Sequence, residues 1–193
     1  AVADFVKANK NKPRITWKGV TVDAYASPEG EVKMNDHLAD KRAATGKTWI
    51  QGVLNANKVD SAKSKAFYTL NPRGEDWDGF KAAIQASTFA DKDLVLRVLE
   101  MYPDVDKREK EIKNMAATYK EIAEDILPTL RRSEIKLNYA VNGYSDEELS
   151  SLSKTNPDTM TVEELLHAAT LTSDLNEQLR IYKEAERLYP QDY

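Results

Sequence analysis

The sequence predicts an α+β fold, and three observations carry that prediction. Segments 15–26 and 131–141 alternate apolar and polar residues with the period of a strand. A third segment, KAFYTLN at 65–71, is short and rich in aromatics, as strands are. The remaining stretches keep the 3.6-residue period of amphipathic helices. The order helix, strand, helix, strand, helices, strand, helices implies a sheet with helices on one side.

The elements follow in order. VADFVKAN at 2–9 is a helix with Val2, Phe5 and Val6 on one side, broken by KNKPR. In ITWKGVTVDAYA, Val20, Val22, Ala24 and Ala26 share one face, and Thr21, Asp23 and Tyr25 share the other, so one face meets a core. SPEG follows. Ser27 suits an N-cap, Pro28 the first helical position, and Glu29 and Glu31 the positive end of the helix dipole. The helix is expected to run to about Asn55. Its apolar stripe is Met34, Leu38, Ala39, Ala43, Thr45, Trp49, Ile50, Val53 and Leu54, with His37, Asp40, Thr48, Gln51 and Asn55 facing water. Asn35 and Arg42 fall inside that stripe, two turns apart. A guanidinium at a core boundary needs an acceptor or an anion, because burying it unpaired is costly. Arg42 therefore either grips a ligand or braces the fold against carbonyls, Asp23 or Glu29.

After the strand at 65–71, NPRGEDWDG reads as a turn, and DGFKAAIQAS and DLVLRVLEMYP as short helices. From Asp106 to Leu127 one long helix keeps Ile112, Met115, Tyr119, Ile122, Ala123 and Ile126 in phase, and Pro128 is expected to stop it. The last strand sets Ile135, Leu137 and Tyr139 against Glu134, Lys136 and Asn138. From Tyr144 onward the pattern is purely helical.

Bulk properties narrow the function. The 193 residues suit one domain with an appendage and bury a core without staples. A net charge of −4 argues against nucleic acid. The absence of cysteine removes disulfides, thiolate catalysis and cysteine-ligated zinc. No apolar run approaches the ~18 residues a membrane helix needs, and no signal peptide opens the chain. Its start at Ala1 reads as a mature form or an excised fragment. His37 and His167 stand alone without metal-ligand spacing, so no metal or other cofactor is expected. Glu75, Asp76 and Asp78 lack the spacing of a calcium loop and read as a solvated turn. GKT at 46–48 lies mid-helix without the upstream glycine of a phosphate loop, and no Gly-x-Ser-x-Gly elbow occurs. No catalytic constellation is visible, so the protein is read as not an enzyme. Trp17, Trp49 and Trp77 are assigned to core or edge packing, and Arg131 and Arg132 to pairing with acids at the strand entrance.

Residues 20–54 resemble the OmpA-like family, the C-terminal domain of outer-membrane protein A. A strand ending in a Tyr-x-Asp-type turn leads through glycine to a helix bearing Asn, Leu and Arg-Ala. The corresponding residues are Tyr25, Ser27, Gly30, Asn35, Leu38 and Arg42-Ala43. Gly74-Glu75 resembles that family's Gly-Glu turn, and Arg131-Arg132 its entry to the final strand. The resemblance implies a two-layer α+β sandwich over 1–142 with a helical insertion at about 75–130. It implies a non-enzymatic domain in the periplasm, associated with the outer membrane of a Gram-negative bacterium, that binds peptidoglycan through diaminopimelate in the stem peptide. Arg42 would grip a stem carboxylate and Asn35 would line the same pocket. Backbone N–H groups near Glu29 to Glu31 would also hold an anion. Ser27 stands where that family has aspartate, so the ligand amine would meet a hydroxyl without charge. Loss of that charge would cost roughly tenfold or more in affinity unless Glu29 or Asp23 substitutes, and Asp23 is also a candidate partner of Arg42. The SPEG form resembles OmpA-like proteins of the Bacteroidetes.

Residues 143–193 resemble a tetratricopeptide-type helix pair, carried by Leu165, Leu166, Ala168, Ala169, Leu171, Leu179, Tyr182, Ala185, Tyr189 and Pro190. Such pairs bury their faces only in arrays, so the segment reads as truncated. The alternative function is a protein–protein interaction scaffold of the envelope, with a degenerate ligand site and repeat-mediated partner binding.

Overall fold

The computed structural model describes residues 2–12 and 14–191. The chain divides into two compact units, residues 1–140 and 141–193. The expected break at KNKPR includes Pro13, which lies outside the described residues, as do Ala1, Asp192 and Tyr193.

The first unit is α+β. Helix α1 (Val2–Asn9) precedes β1 (Ile15–Ala26), α2 (Val32–Ala56) and β2 (Tyr68–Glu75). Then come α3 (Trp77–Ala86), α4 (Lys92–Met101), α5 (Val105–Asn114), α6 (Ala116–Glu121), a wide π turn (Ile122–Ile126), α7 (Leu127–Leu130) and β3 (Ser133–Val141). The sheet order is β2-β1-β3. Strands β1 and β2 are parallel, from Val20 opposite Tyr68 to Ala26 opposite Glu75. The sheet is mixed, so β3 runs antiparallel to β1, and the side-chain pairs Asp23–Lys136 and Thr21–Asn138 fit that sense.

As the alternation requires, Val20, Val22, Ala24 and Ala26 are buried. Val20 and Val22 meet Val6 of α1 and Ile50 and Leu54 of α2, so helices cover this face of the sheet. Phe5 seats α1 on the strands, its ring centroid 6.2 Å from Trp17 and 4.9 Å from Tyr139.

Helix α2 departs from its expected form in two ways. It begins at Val32 rather than Pro28, and its N-cap, Glu31, makes no side-chain cap. The hydroxyl of Ser27 is taken by Glu29 and Arg131 instead. The buried stripe is also narrower: Asn35, Ala39, Ala43, Gly46, Ile50 and Leu54. Met34 and Trp49 are 61% and 51% exposed, so neither belongs to the core. Small residues bring the helix axis close to the sheet. A Cβ on Gly46 would lie 3.0 Å from Val22 Cγ1 and 3.4 Å from Ser133 Cβ. Helix α2 ends in a Schellman motif. Lys58 adopts a left-handed φ of 59°, its N–H bonds Asn55 O, and the N–H of Val59 bonds Leu54 O while both side chains enter the core.

Strand β2 starts later and runs further than expected. Residues 65–67 form a 3₁₀ turn, and the strand passes through Pro72 and Arg73 to Glu75. A bulge absorbs one residue, because Ala24 faces Pro72 while Tyr25 faces Gly74. Gly74 permits it with φ of +66°.

The long helix expected over 106–127 is broken at Met115, and Pro128 does not stop it. The wide turn at Ile122–Ile126 precedes the proline, which sits in the first turn of α7, where its missing N–H costs little. Helices α3 to α7 bury a separate core around Phe80, Ile84, Val95, Ile122 and Leu127.

The second unit holds α8 (Asp146–Thr155), α9 (Val162–Thr170) and α10 (Leu175–Leu188). Capping boxes Ser145/Glu148 and Thr161/Glu164 open α8 and α9. Leu149, Met160, Leu165, Ala168, Ala169, Ile181 and Ala185 form its core. Leu166, Leu179 and Tyr182, expected on the packed face, are exposed, because α9 turns Leu165, Ala168 and Ala169 inward and α10 turns Ile181 and Ala185.

Replacing Gly46 with valine is expected to lower unfolding free energy by about 1–3 kcal/mol through overpacking against Val22. Alanine there should stay within about 1 kcal/mol of wild type, because its higher helix propensity offsets the tighter contact. Chemical denaturation of both variants checks this.

Candidate ligand-binding site

The site lies where β1 hands over to α2. Arg42, half-buried on the inward stripe of α2, donates from Nη1 to the carbonyl of Tyr25 at 3.0 Å. Its own carbonyl accepts from Ser133 Oγ at 3.1 Å, which ties α2 to β3. Among the described residues no carboxylate lies within ion-pair distance of Arg42, and neither Asp23 nor Glu29 serves it. Burial first, then the nearby charge of Arg131, depress its pKa. This half-buried cation thus has one main-chain acceptor and a like charge beside it. A cleft of about 430 Å³ flanks it, lined by Leu38, Lys41, Trp49 and Ile135 among others.

The other expected site residues are engaged internally. Ser27 is buried; its Oγ donates to Glu29 Oε1 at 3.1 Å and accepts from Arg131 Nε at 3.1 Å. Arg131 also pairs with the Glu29 carboxylate. Asn35, 4% exposed, donates from Nδ2 to the Glu29 carbonyl at 2.9 Å and to Glu75 Oε1 at 2.8 Å. Glu75 in turn accepts from Trp77 Nε1 at 2.9 Å. Ser27, Glu29 and Asn35 are therefore drawn together around the loop, with Arg131 as the clasp. Among the described residues Arg42 shares no hydrogen bond with this group, although the charge of Arg131 reaches it. Asn35 and Arg42 share a helix face but no partner.

The loop amide read as an anion holder is already engaged. The N–H of Gly30 donates to Glu109 Oε1 of α5 at 2.6 Å. No sequence signal marked Glu109, which looks like one more charge on a solvated helix face.

Asp23 lies elsewhere, on the opposite face of β1. It is buried and bound by Lys136 Nζ at 2.8 Å, Asn71 Nδ2 at 3.0 Å and Arg73 Nη2 at 2.9 Å. The hydrogen bonds from Lys136, Asn71 and Arg73 outweigh desolvation and hold its pKa at about 2. The acidic run at 75–78 is not a solvated turn. Asp76 is buried, caps α3 by accepting from Gly79 N at 2.9 Å, and pairs with Arg132. Arg132 also bonds Glu134 at 2.8 Å and stacks 4.4 Å from the centroid of Tyr25. In the second unit His167 meets Asp146 at 3.0 Å.

Among the described residues no group of three or more His, Asp or Glu could hold a metal, and no helix is long and apolar enough to cross a membrane. Comparison with family models, curated proteins and solved structures finds no match to this chain.

Because the folded pKa of Asp23 lies below the unfolded value of about 3.9, its stabilisation is present above about pH 4 and is lost as pH falls towards 2. Solvent screening of the exposed Lys136 and Arg73 holds this to about 2 kcal/mol. Asp23→Asn should remove that amount at pH 7 and flatten the stability profile between pH 4 and 2, as read by urea unfolding across pH.

Proposed function

We propose that the first unit is a non-enzymatic, OmpA-like module of the bacterial cell envelope. In this reading it binds a carboxylate of the peptidoglycan stem peptide at Arg42. The observation that carries the reading is the guanidinium itself. It faces inward and, among the described residues, has a single carbonyl partner and no carboxylate of its own, with the charge of Arg131 nearby. An incoming carboxylate would complete its hydrogen bonds and relieve the repulsion, and guanidinium–carboxylate geometry suits a bidentate contact. The parallel β1–β2 pair, the helix between them and the Arg-Arg entry to β3 are consistent with the two-layer sandwich of that family. The family's setting places the module in the periplasm at the outer membrane.

Ser27 and Asn35 contribute differently from the family pattern. With its hydroxyl committed to Glu29 and Arg131, Ser27 does not reach for a ligand amine; Glu29 supplies the negative charge. Asn35 holds the loop in place rather than lining the pocket.

A second reading is an envelope protein–protein interaction scaffold. It is favoured by this internal satisfaction of Ser27 and Asn35, and by Leu175, Leu179 and Tyr182, which form an exposed apolar stripe along α10. Both readings keep peptidoglycan or another envelope protein as the partner and need no cofactor.

NMR titration with a diaminopimelate-containing stem peptide decides between them. On the first reading, resonances of Arg42 and Tyr25 shift at millimolar ligand or below, and Arg42→Ala weakens binding about 10- to 100-fold, the worth of one charge-assisted hydrogen bond. Intact sacculi should retain wild type and lose the variant. Equal retention of both, or none of either, rejects the first reading.

A further inference from the structure

The cleft beside Arg42 runs between α2 and the end of the sheet. Strand β3 is terminal in the order β2-β1-β3, so one of its edges has no strand beside it. Over its nine residues, alternate N–H and C=O groups point away from β1 along that edge. Ser133, Ile135, Leu137 and Tyr139 face the helices, while Lys136 and Asn138, and with them Glu134, face the other way. Leu38, Gly46 and Trp49 line the cleft of about 430 Å³ from the helix, and Ser133 and Ile135 line it from the strand. Apolar surface continues along β3, where Tyr139 is 44% and Val141 59% exposed.

These features define what fits. A strand laid beside β3 pairs with its outward main-chain groups and turns every second side chain into the cleft. The walls at Leu38, Trp49 and Ile135 take apolar side chains. At the Ser133 end Lys41 and Arg42 line the same cleft, and among the described residues neither has a carboxylate partner. An acid on the incoming strand answers that charge. A second copy of this chain does not supply it through its own β3, because the residues on the helix side of that strand include no acid.

We propose that the free edge of β3 docks an extended segment of a partner protein, which joins the sheet as an additional strand. It runs antiparallel to β3, the slightly stronger pairing. Its alternate apolar side chains enter the cleft over Trp49 and Ile135, and an acidic residue at its C-terminal end meets Lys41 and Arg42. This goes beyond the reading of Arg42 as a wall-ligand site, because the main chain of β3 takes no part in that reading.

The test uses the full chain and the peptide acetyl-Val-Thr-Val-Thr-Val-Thr-Asp-amide, whose valines and aspartate share one face. At millimolar peptide the amides of β3 and the Trp49 indole should shift in NMR spectra. N-methylation of alternate residues, which removes the edge-facing donors, should weaken binding at least about tenfold. Lys41→Glu, at an exposed position, should weaken it about tenfold, and the peptide with lysine in place of aspartate should recover binding to that variant. No shift in β3, equal binding of the methylated peptide, or indifference to Lys41→Glu each overturns the proposal. So does protection of all β3 amides from exchange without peptide, which shows the edge already covered by the chain itself. Concentration-dependent shifts in β3 without peptide assign the edge to a second copy and overturn it too. Failure of the stem peptide beside binding of the strand peptide removes the cell-wall reading and leaves this one standing.

Discussion

The close seat of α2 on the sheet is the constraint from which the site follows. Ala39, Ala43 and Gly46 recur at steps of four and three and carry no bulk, so the helix settles until Gly46 nearly touches Val22. That contact fixes the rotation of the helix. Asn35 and Arg42 lie on the same stripe and are turned inward with it, while Met34 and Trp49 are turned out. An arginine so placed must find an acceptor, and the carbonyl of Tyr25 near the end of β1 provides one. The positive character at the end of the sheet is thus a consequence of how small residues pack within one turn of Arg42.

Charge pairing does the rest of the assembly. Arg131 and Arg132, at the entry to β3, reach different elements. Arg131 binds Ser27 and Glu29 of the loop; Arg132 binds Asp76 at the start of α3 and stacks on Tyr25. The hydrogen bonds among these contacts span 56 to 104 residues of sequence and hold the insertion, the loop and the final strand together. Because Arg131 is committed to Glu29, its charge is partly neutralised, whereas Arg42 retains its own. This asymmetry makes Arg42, rather than Arg131, the group with capacity for a further anion. Asp23 plays the matching part on the other face of β1, where Lys136 and Arg73 hold a buried carboxylate ionised.

Much of this was legible in the residues, for identifiable reasons. The alternation in β1 gives its buried face correctly because a strand has period two and one face meets helices. The inward placement of Arg42 is legible because the stripe of α2 is long enough to fix its phase. The pairing of Arg131 and Arg132 with acids follows from their position at a strand entrance. What was not legible depends on partners distant in sequence. Ser27 has the chemistry of an N-cap, but Arg131 takes its hydroxyl and the helix starts five residues later. Asp76 reads as a solvated turn until Arg132 arrives to bury it. Glu109 has no local mark at all. Period alone also overstates burial: Trp49 and Met34 are in phase with the stripe yet exposed, because close packing by glycine and alanine narrows the contact. The same limit applies in α10, where Ile181 and Ala185 rather than Leu179 and Tyr182 meet the core. Proline at 128 misleads for a different reason, because the wide turn before it removes the clash that would end the helix.

The central claim is that Arg42 is held inward on the Tyr25 carbonyl with capacity for one more acceptor. Nitrogen-15 NMR of the arginine side chains measures this directly. The account predicts resolved, slowly rotating Nη–H signals for Arg42 and a through-hydrogen-bond coupling to the Tyr25 carbonyl carbon. A single averaged signal, like that of an arginine free in water, would contradict it.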